Sequence, residues 1–447
     1  MASGFGVHEE KLLEAYFPLI SHFAFDKAKD LCDKERDSLK QKFGSQNDMK
    51  PAFGSRDSMK LGNVSAWGLM VYCLSHFAVA EKLYVTLGFL EQKGFFTRSK
   101  DTLKSLYQSL ISELRKVEET ADSSEQLLAH LSGHLSHYLT ARLKTVEFYE
   151  QINTMGTMKM MNYSDLVISI TDIVQSCNKS FHHPLLAPLK AAFGFECDTI
   201  LNLLQAQIDI SDWKFFSALM QLYEAHTKLT TWGATAQLKE SKKSTFGSHS
   251  KHSGWPALYL WLIRYKGYLL SKFSLYFYDV LQKQTTPNEM KGLIAKALED
   301  FVAKLISFQK KSDAHHVALV LDVHGLGDSY TGPCYSLPGK TPITPQGIDS
   351  CPSIFSYPHT ELPAHHWVNV AALITNRPPD NKVIHVYDKK AQSTYFLVQV
   401  DMKVTLVVIF ETKKSEKDSY INTFMSEFSN SLKGNKLFSA FKPGIKG

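Results

Sequence analysis

Three strand-like segments and one helix-like segment follow one another near the end of the chain, and this order restricts the fold more than any other feature. The strand-like segments are rich in β-branched and aromatic residues: KVIHVYD, QSTYFLVQVD and KVTLVVIFET. The turn between the last two, Asp401-Met402-Lys403, is short enough for a hairpin. The stretch Lys382–Leu432 therefore predicts a small antiparallel sheet followed by a helix.

The helix-like segment carries signals for its start and its end. Ser415 with Asp418 three residues later is similar to a capping box and predicts a start at Ser415. Gly434 is the residue type expected just after the last turn of a helix. Between them, one apolar face recurs at helical spacing and is predicted to lie on the sheet: Ile421, Phe424, Phe428 and Leu432.

The apolar periodicity is helical almost throughout as far as about Lys311, and then it changes. Val317–Val323 and Trp367–Thr375 are apolar segments of strand length. Helices first and strands afterwards indicate an α+β protein with segregated domains rather than an alternating β/α fold. We therefore expect a helical-bundle domain over residues 1–311 and a small α/β domain with about five strands over residues 312–447.

Three segments lack apolar periodicity. In residues 43–60 the sequence FGSQNDMK is nearly repeated as FGSRDSMK, and residues 238–254 are rich in Ser, Lys and Gly. Neither segment has enough apolar residues to offset the entropy lost on ordering, so both are predicted to be mobile inserts. Residues 324–366, rich in Gly, Pro and Ser, predict a long loop that is either functional or disordered.

Two upstream segments give specific expectations for helices. Ser211–Leu229 predicts a helix, and the side chains expected to face inward are Trp213, Phe216, Leu219, Leu222 and Tyr223. The sequence TPNE, beginning at Thr286, combines an N-cap, a first-turn proline and a capping glutamate. A helix should therefore begin there and extend to about Lys310.

The composition excludes several classes of protein. A chain of 447 residues, 44% of them hydrophobic and 21% charged, can bury a large core and is not expected to be disordered. Its net charge of +6 is too dilute for nucleic-acid binding, which needs basic residues on one face. No signal peptide or membrane span is expected, and six scattered cysteines without CxxC spacing indicate reduced thiols in a cytoplasmic protein.

Histidine clusters raise the question of a metal site. His130, His134 and His137 are spaced to share one side of a helix, but the glutamate of an HExxH zinc motif is absent. Three adjacent pairs also occur: His182-His183, His315-His316 and His365-His366. Because adjacent side chains on a strand point to opposite faces, each pair could supply one ligand at most. We therefore expect no metal ion and no other cofactor.

No enzyme motif is complete in this sequence. A GLG sequence follows one predicted strand, but neither GxGxxG nor the Walker A pattern is present, and GxSxG is absent. The one catalytic hypothesis that can be assembled is a hydrolase using His315 or His365 with Asp322 and either Cys334 or Cys351. We expect instead that the chain is not an enzyme.

Five long and uncommon segments resemble one protein family closely: FDKAKD (Phe25–Asp30), FHHPLLAPL (Phe181–Leu189), DWKFFSALMQLYEAHTKLTTWG (Asp212–Gly233), AQSTYFL (Ala391–Leu397) and IFETKKSEKDS (Ile409–Ser419). The family is that of the second subunit of the KICSTOR complex. The similarity extends from about Lys11 to Gly447. The duplication in residues 43–60 and much of residues 325–364 depart from the family pattern.

This resemblance implies a non-enzymatic subunit that assembles with kaptin, an FG-GAP repeat protein and a very large scaffold subunit. The complex is expected to be recruited peripherally to lysosomes and to localise the GATOR complex, the GTPase activator of Rag GTPases. It would thereby restrain the target-of-rapamycin kinase when amino acids or glucose are scarce. The family fold is a helical domain followed by a small α/β domain, whose strand order resembles that of roadblock and longin modules.

Two binding hypotheses follow. The first is an adaptor subunit that uses buried aromatic anchors at protein–protein interfaces. The alternative is a longin-like regulator in which residues 312–447 bind a small GTPase directly. The charged turn before the last helix is the best candidate for an exposed contact, through Lys413, Lys414, Glu416, Lys417 and Asp418.

Overall fold

A computed structural model describes residues 6–43, 65–90, 102–122, 125–156, 161–177, 180–237, 255–324, 326, 350–359, 363–377, 382–434 and 437–438. Within these ranges the chain forms fourteen α-helices and five β-strands. Nearly all of the predicted mobile inserts 43–60 and 238–254, and most of the predicted loop 324–366, lie outside the described residues.

The helices, in chain order, are α1 (Val7–Ser21), α2 (Phe25–Phe43), α3 (Ala66–Val85), α4 (Leu103–Thr120), α5 (Gln126–Met155), α6 (Tyr163–Cys177), α7 (Ala187–Ser211), α8 (Phe215–Gln237), α9 (Ala257–Tyr276), α10 (Tyr278–Gln284), α11 (Pro287–Ile294), α12 (Phe301–Ser312), α13 (Ala364–Thr375) and α14 (Ser419–Lys433). The strands are β1 (His316–Leu321), β2 (Ser353–Tyr357), β3 (Ile384–Asp388), β4 (Ser393–Gln399) and β5 (Val404–Phe410). This order confirms the expected α+β class.

The capping signal at Thr286 is confirmed, but the predicted helix from there to Lys310 is wrong. The Thr286 hydroxyl accepts a hydrogen bond from the Glu289 amide, and the Glu289 carboxylate accepts one from the Thr286 amide. Two helices follow, because the chain between α11 and α12 leaves the helical path and forms hydrogen bonds to α9. The Leu298 amide donates to the Gly267 carbonyl oxygen at 2.9 Å.

The five strands form one antiparallel sheet in the order β2-β1-β5-β4-β3. Successive side chains on a strand point to opposite faces. On β5, Leu406 and Val408 pack in the main core shared with α14 and the upstream helices. Val407 and Ile409 pack in a smaller cluster with residues of α13. The sheet is therefore covered on both faces, which explains why β5 is apolar without alternation.

Two assignments in the predicted loop and strand region are wrong. Residues 367–375, predicted as a strand, belong to helix α13, whose buried residues His366, Val370 and Ile374 recur at spacings of four. The β-branched residues of this segment favour a strand, but contacts with the sheet override that local preference. Strand β2 lies instead at Ser353–Tyr357, inside the predicted loop, and pairs with β1.

The helical region and the sheet share a continuous hydrophobic core. Trp261 of α9 donates its indole hydrogen to the Leu437 carbonyl oxygen at 2.9 Å, and the Tyr268 hydroxyl donates to that of Leu432 at 2.6 Å. Phe438 is fully buried against Trp261 and Tyr265. The boundary between residues 311 and 312 stays a prediction; α12 ends at Ser312.

Candidate partner-binding surface

Helices α12 and α14 enclose an open groove with an aromatic floor. The rings of Phe308 and Phe424 stack with centroids 3.8 Å apart and planes 4° apart. Tyr420 lies 5.6 Å from Phe308. Phe428 lies 5.6 Å from Phe424 and 5.5 Å from Phe301. These five rings form a continuous column, and the groove above it has a volume of about 490 Å³.

Capping residues fix the position of α14 beside the groove. The Asp418 carboxylate accepts a hydrogen bond from the Ile421 amide at 3.1 Å, so α14 begins at Ser419. The predicted start at Ser415 is wrong, because Ser415 lies in the preceding turn and its hydroxyl accepts from Lys417. Gly434 ends the helix in the left-handed conformation with φ 69°, as its residue type indicates.

The rim of the groove is mainly basic. Lys304, Lys311 and Glu427 line it, and Tyr420 at one end has 48% of its surface exposed. Lys304 pairs with Glu299 at 2.6 Å, which keeps its ammonium beside the groove. Lys311 lies in the last turn of α12, where the helix dipole favours a cation. An aromatic floor with a basic rim suits a segment that has both apolar and acidic side chains.

The charged turn predicted as a contact leads directly into this groove, since Tyr420 follows it by two residues. The Lys413 ammonium lies 5.5 Å from the centre of the Tyr387 ring, and the Lys414 ammonium 4.9 Å from that of Phe410. Glu416 and Lys417 are exposed. Asp418 is engaged as the cap of α14. A partner contact by these five residues stays a prediction, with Asp418 also carrying a structural role.

Helix α8 carries an exposed apolar stripe of four residues, three of which, Phe216, Leu219 and Tyr223, were predicted to face inward. Trp213 and Leu222 are buried as expected, but the stripe formed by Phe216, Leu219, Met220 and Tyr223 is 37–60% exposed. The face that does pack inward is Phe215, Ala218, Leu222, Ala225 and Leu229. The predicted set advanced mainly in steps of three, and such a set drifts away from one face of a helix with 3.6 residues per turn.

Histidines from α5 come together with the pair before α7. The Nε2 atoms of His130 and His134 are 3.0 Å apart. The rings of His182 and His183 lie 6.5 Å and 6.3 Å from that of His134. Burial, and then the neighbouring His130 and His134, lower the pKa of His183 to about 4. No feature of the sequence indicated that these two sets of histidines meet.

The other two histidine pairs also meet, at one end of the sheet. The rings of His315 and His366 are 6.0 Å apart, and Glu411 lies between them at 3.5 Å and 3.7 Å from a nitrogen of each. His366 Nδ1 is 2.7 Å from the hydroxyl oxygen of Tyr395. Within the described part of the chain, no group of three or more His, Cys, Asp or Glu side chains is arranged to hold a metal ion.

The hypothetical hydrolase residues are divided between the two ends of β1. His315 precedes the strand, whereas Asp322 follows it, roughly 20 Å away at about 3.3 Å per residue. Asp322 accepts a hydrogen bond from His324. Cys351 is buried, and burial raises the pKa of its thiol, which opposes formation of the thiolate nucleophile. Cys334 lies outside the described residues, and the residues that are described do not come together as a site for this hydrolase.

Similarity to known proteins extends over nearly the whole chain. The family model described as KICSTOR complex C12orf66 like matches residues 6–446. The chain belongs to this family. The Xenopus laevis protein named KICSTOR subunit 2 is 39% identical over 456 residues, covering 98% of this chain and 97% of that protein. Its Danio rerio counterpart of the same name is 38% identical over 457 residues, with the same coverage.

The KICSTOR family match confirms the resemblance found in the sequence and covers both the helical region and the sheet. The matched range includes α12, α14 and the charged turn. None of the described helices is both long enough and apolar enough to cross a membrane.

The core of this KICSTOR-family chain contains a charge network that was not predicted from the sequence. Arg142 of α5 lies between Glu81 of α3 and Glu196 of α7, at 3.1 Å and 2.7 Å. All three side chains are at most 4% exposed. Burial alone would lower the pKa of Arg142, but the two carboxylates raise it. Arg142 lies among apolar residues at helical spacing, and this position on a buried face could have indicated that its charge is paired inside the core.

Proposed function

We propose that this chain is a non-catalytic adaptor subunit of a KICSTOR complex. The observation that carries the proposal is similarity over 98% of the chain to proteins named KICSTOR subunit 2. The divided hydrolase residues and the raised pKa of Cys351 favour an adaptor over an enzyme. Its partners would be the other subunits of that complex, namely kaptin, the FG-GAP repeat protein and the large scaffold subunit, and not nucleic acid.

The proposal extends to the process that the family resemblance implies. Within the assembled complex, the chain would help to hold GATOR at the cytoplasmic face of the lysosome. In that position it would act as a negative regulator of target-of-rapamycin signalling during amino-acid or glucose starvation. Attachment to the membrane would then be peripheral and would depend on the other subunits.

The groove between α12 and α14 is the surface we propose for docking. Its occupant would be a partner segment with an apolar or aromatic anchor and acidic neighbours. The anchor would pack against Tyr420 and Phe424, above the buried ring of Phe308. The acidic residues would pair with Lys311. Aromatic residues are enriched among the side chains that contribute most to interface affinity.

Affinity capture of the full-length chain tests both the adaptor function and the groove as its docking surface. The variant is the double substitution Tyr420→Ala with Lys311→Glu, which removes an exposed ring and reverses one rim charge. Its control is Tyr223→Ala, which removes an exposed ring from the α8 stripe, 60% exposed against 48% for Tyr420. We expect wild type and the control to recover the KICSTOR subunits from starved cells. The double variant should recover at least about tenfold less of these subunits, since loss of an interface aromatic often costs about 2 kcal/mol of binding free energy.

The possible results distinguish failure of the adaptor proposal from failure of the groove as the docking surface. Recovery of no KICSTOR or GATOR component by the wild type would refute the adaptor proposal. Loss of binding by Tyr223→Ala, with the double variant unaffected, would place docking on α8 and refute the groove. Equal melting temperatures for all three proteins would show that the exposed substitutions leave the fold intact.

A second candidate function is direct binding of a small GTPase. The observation in its favour is the element order β1-β2-α13-β3-β4-β5-α14 around one five-stranded sheet, which fits the predicted roadblock or longin likeness. Titration of the full chain with purified Rag GTPases tests it, because the shared core makes an isolated C-terminal fragment a poor reagent. Absence of saturable binding would exclude this candidate.

A further inference from the structure

Exposed apolar side chains of the described residues are concentrated on one helix. Of the twelve large apolar side chains that are exposed, four form the α8 stripe, and no other helix or strand contributes more than two. Phe216, Leu219, Met220 and Tyr223 are 46%, 37%, 54% and 60% exposed. Single exposed apolar residues are normal on a protein surface, whereas four adjoining ones indicate a surface that binds something.

The size of the stripe limits the kind of contact that it can make. At these exposed fractions, the four side chains offer on the order of 400 Å² of apolar surface. That area is typical of the largest patch on a monomer, and such a patch is often functional. A standard specific interface buries about 800 Å² on each partner, so the stripe supplies about half of one.

The stripe is symmetric about its own centre. The aromatic residues Phe216 and Tyr223 stand at its two ends, with Leu219 and Met220 between them, so that the order is the same in either direction. A two-fold axis through this centre would place Phe216 against Tyr223 of a second copy. Leu219 and Met220 of both copies would meet near the axis. Because contact across a two-fold axis requires a self-complementary surface, this order favours a second copy over an unrelated partner.

The charges beside the stripe have the same symmetry with opposite signs. Lys214 precedes the stripe and Glu224 lies at its other end, at comparable distances from the centre. Both side chains are exposed; that of Lys214 is 43% exposed even while it pairs with Asp212 at 2.8 Å. With two α8 helices antiparallel, each Lys214 would lie beside Glu224 of the second copy. With the helices parallel, like charges would meet, so charge complementarity selects the antiparallel arrangement.

We propose that the α8 stripe is a two-fold interface between two copies of this chain, with their α8 helices antiparallel. Two symmetric ion pairs between Lys214 and Glu224 flank the apolar contact. Because the stripe supplies only about half of a standard interface, the dimer is weak, with a Kd of about 1–100 µM. The stripe and the α12–α14 groove lie on different helices, so this inference does not depend on the proposed adaptor function.

Sedimentation equilibrium of the full chain, between about 1 and 100 µM, measures the dimer directly. Met220→Glu brings two carboxylates together near the axis and should raise the Kd at least about tenfold. The control is Ile168→Glu on α6, which puts the same charge at an apolar position that is 60% exposed, against 54% for Met220. It should leave the Kd unchanged.

Reversal of the flanking charges tests both the second copy and its direction. Lys214→Glu and Glu224→Lys should each raise the Kd at least about fivefold, since one substitution makes both symmetric pairs repulsive. The double variant restores opposite charges across the axis and should return the Kd to within about twofold of the wild type. A salt concentration of about 50 mM keeps the screening of these exposed pairs low.

Three results would overturn the proposal: a monomer at every concentration up to about 100 µM, a dimer that Met220→Glu leaves intact, or a double charge variant no tighter than the single ones. The first result would leave the stripe to a different protein. Equal melting temperatures of the variants show that the fold is intact. If Met220→Glu does not fold, the charge reversals still decide.

Discussion

At the scale of single residues, the polar groups with the largest effect are buried and distant in sequence from their partners. Arg142 was not singled out from the sequence, and the histidine pairs at the sheet were considered only as possible metal ligands or catalytic residues. Each acquires its role only when three or four elements are packed together. Local sequence patterns carry no information about such contacts, which is why prediction failed for these residues and succeeded for Asp418 only as to its general location.

Replacing Arg142 should destabilise the helical region strongly. Arg142→Met leaves Glu81 and Glu196 buried without a cation, and breaking a buried pair in this way costs about 3–5 kcal/mol or more. Urea unfolding followed by circular dichroism measures the loss. Lys144→Met, on the exposed side of the same helix, should change stability by less than about 0.5 kcal/mol. Equal effects of the two substitutions would contradict the role of the network.

His316 should make stability depend on pH below neutrality. Burial lowers its pKa to about 4, whereas a histidine in the unfolded chain titrates near 6.5. Between these values the unfolded state binds more protons, so stability falls as the pH drops from about 6.5 to about 4 and then levels off. His316 can lower the free energy of unfolding by at most about 3 kcal/mol over this range.

Unfolding measured at several pH values with His316→Gln tests that dependence. The variant should have a flatter profile between about pH 4.5 and 6.5 than the wild type. His365→Gln, which changes an exposed histidine nearby, should leave the profile unaltered. Parallel profiles for wild type and His316→Gln would show that His316 contributes nothing to the dependence.

At the scale of elements, local sequence predicted those whose signals are local. The strands β3, β4 and β5, the helix after them and its end at Gly434 follow from periodicity, turn length and residue type. The misassigned elements depend on distant contacts: α13 is helical because its apolar residues face the sheet, and α11 ends because the chain bonds to Gly267 of α9. The groove itself arises from two helices more than a hundred residues apart, so it could not be predicted.

Gly434 gives a direct test of how α14 is fixed. An alanine Cβ at this position would lie 2.6 Å from Cζ of Tyr268, and φ 69° is unfavourable for any side chain by about 1 kcal/mol or more. Gly434→Ala should therefore cost about 2 kcal/mol or more of unfolding free energy. Gly292→Ala, in α11, meets nothing within 4 Å and should be neutral or stabilising. A neutral Gly434→Ala would contradict this packing.

At the scale of the whole molecule, the sheet and the helical region are joined by one core, and the groove and the α8 stripe are left facing outward. A scaffold of this kind presents surfaces at fixed positions relative to one another, which suits a subunit that holds partners together. The aromatic column and basic rim give the α12–α14 groove a chemical preference that the purely apolar α8 stripe lacks. We therefore expect a partner within the complex to occupy this groove.

The most direct test of a partner in this groove is lysine acylation read out by mass spectrometry. It compares the chain alone with the chain in the assembled complex. We expect Lys304 and Lys311 in the groove, and Lys417 in the charged turn, to react in the free chain and to be protected in the complex. Lys40 on α2, which is half-exposed, serves as the reference within each sample. Equal reactivity of the two groove lysines and Lys417 in the free and assembled states would contradict docking at this groove.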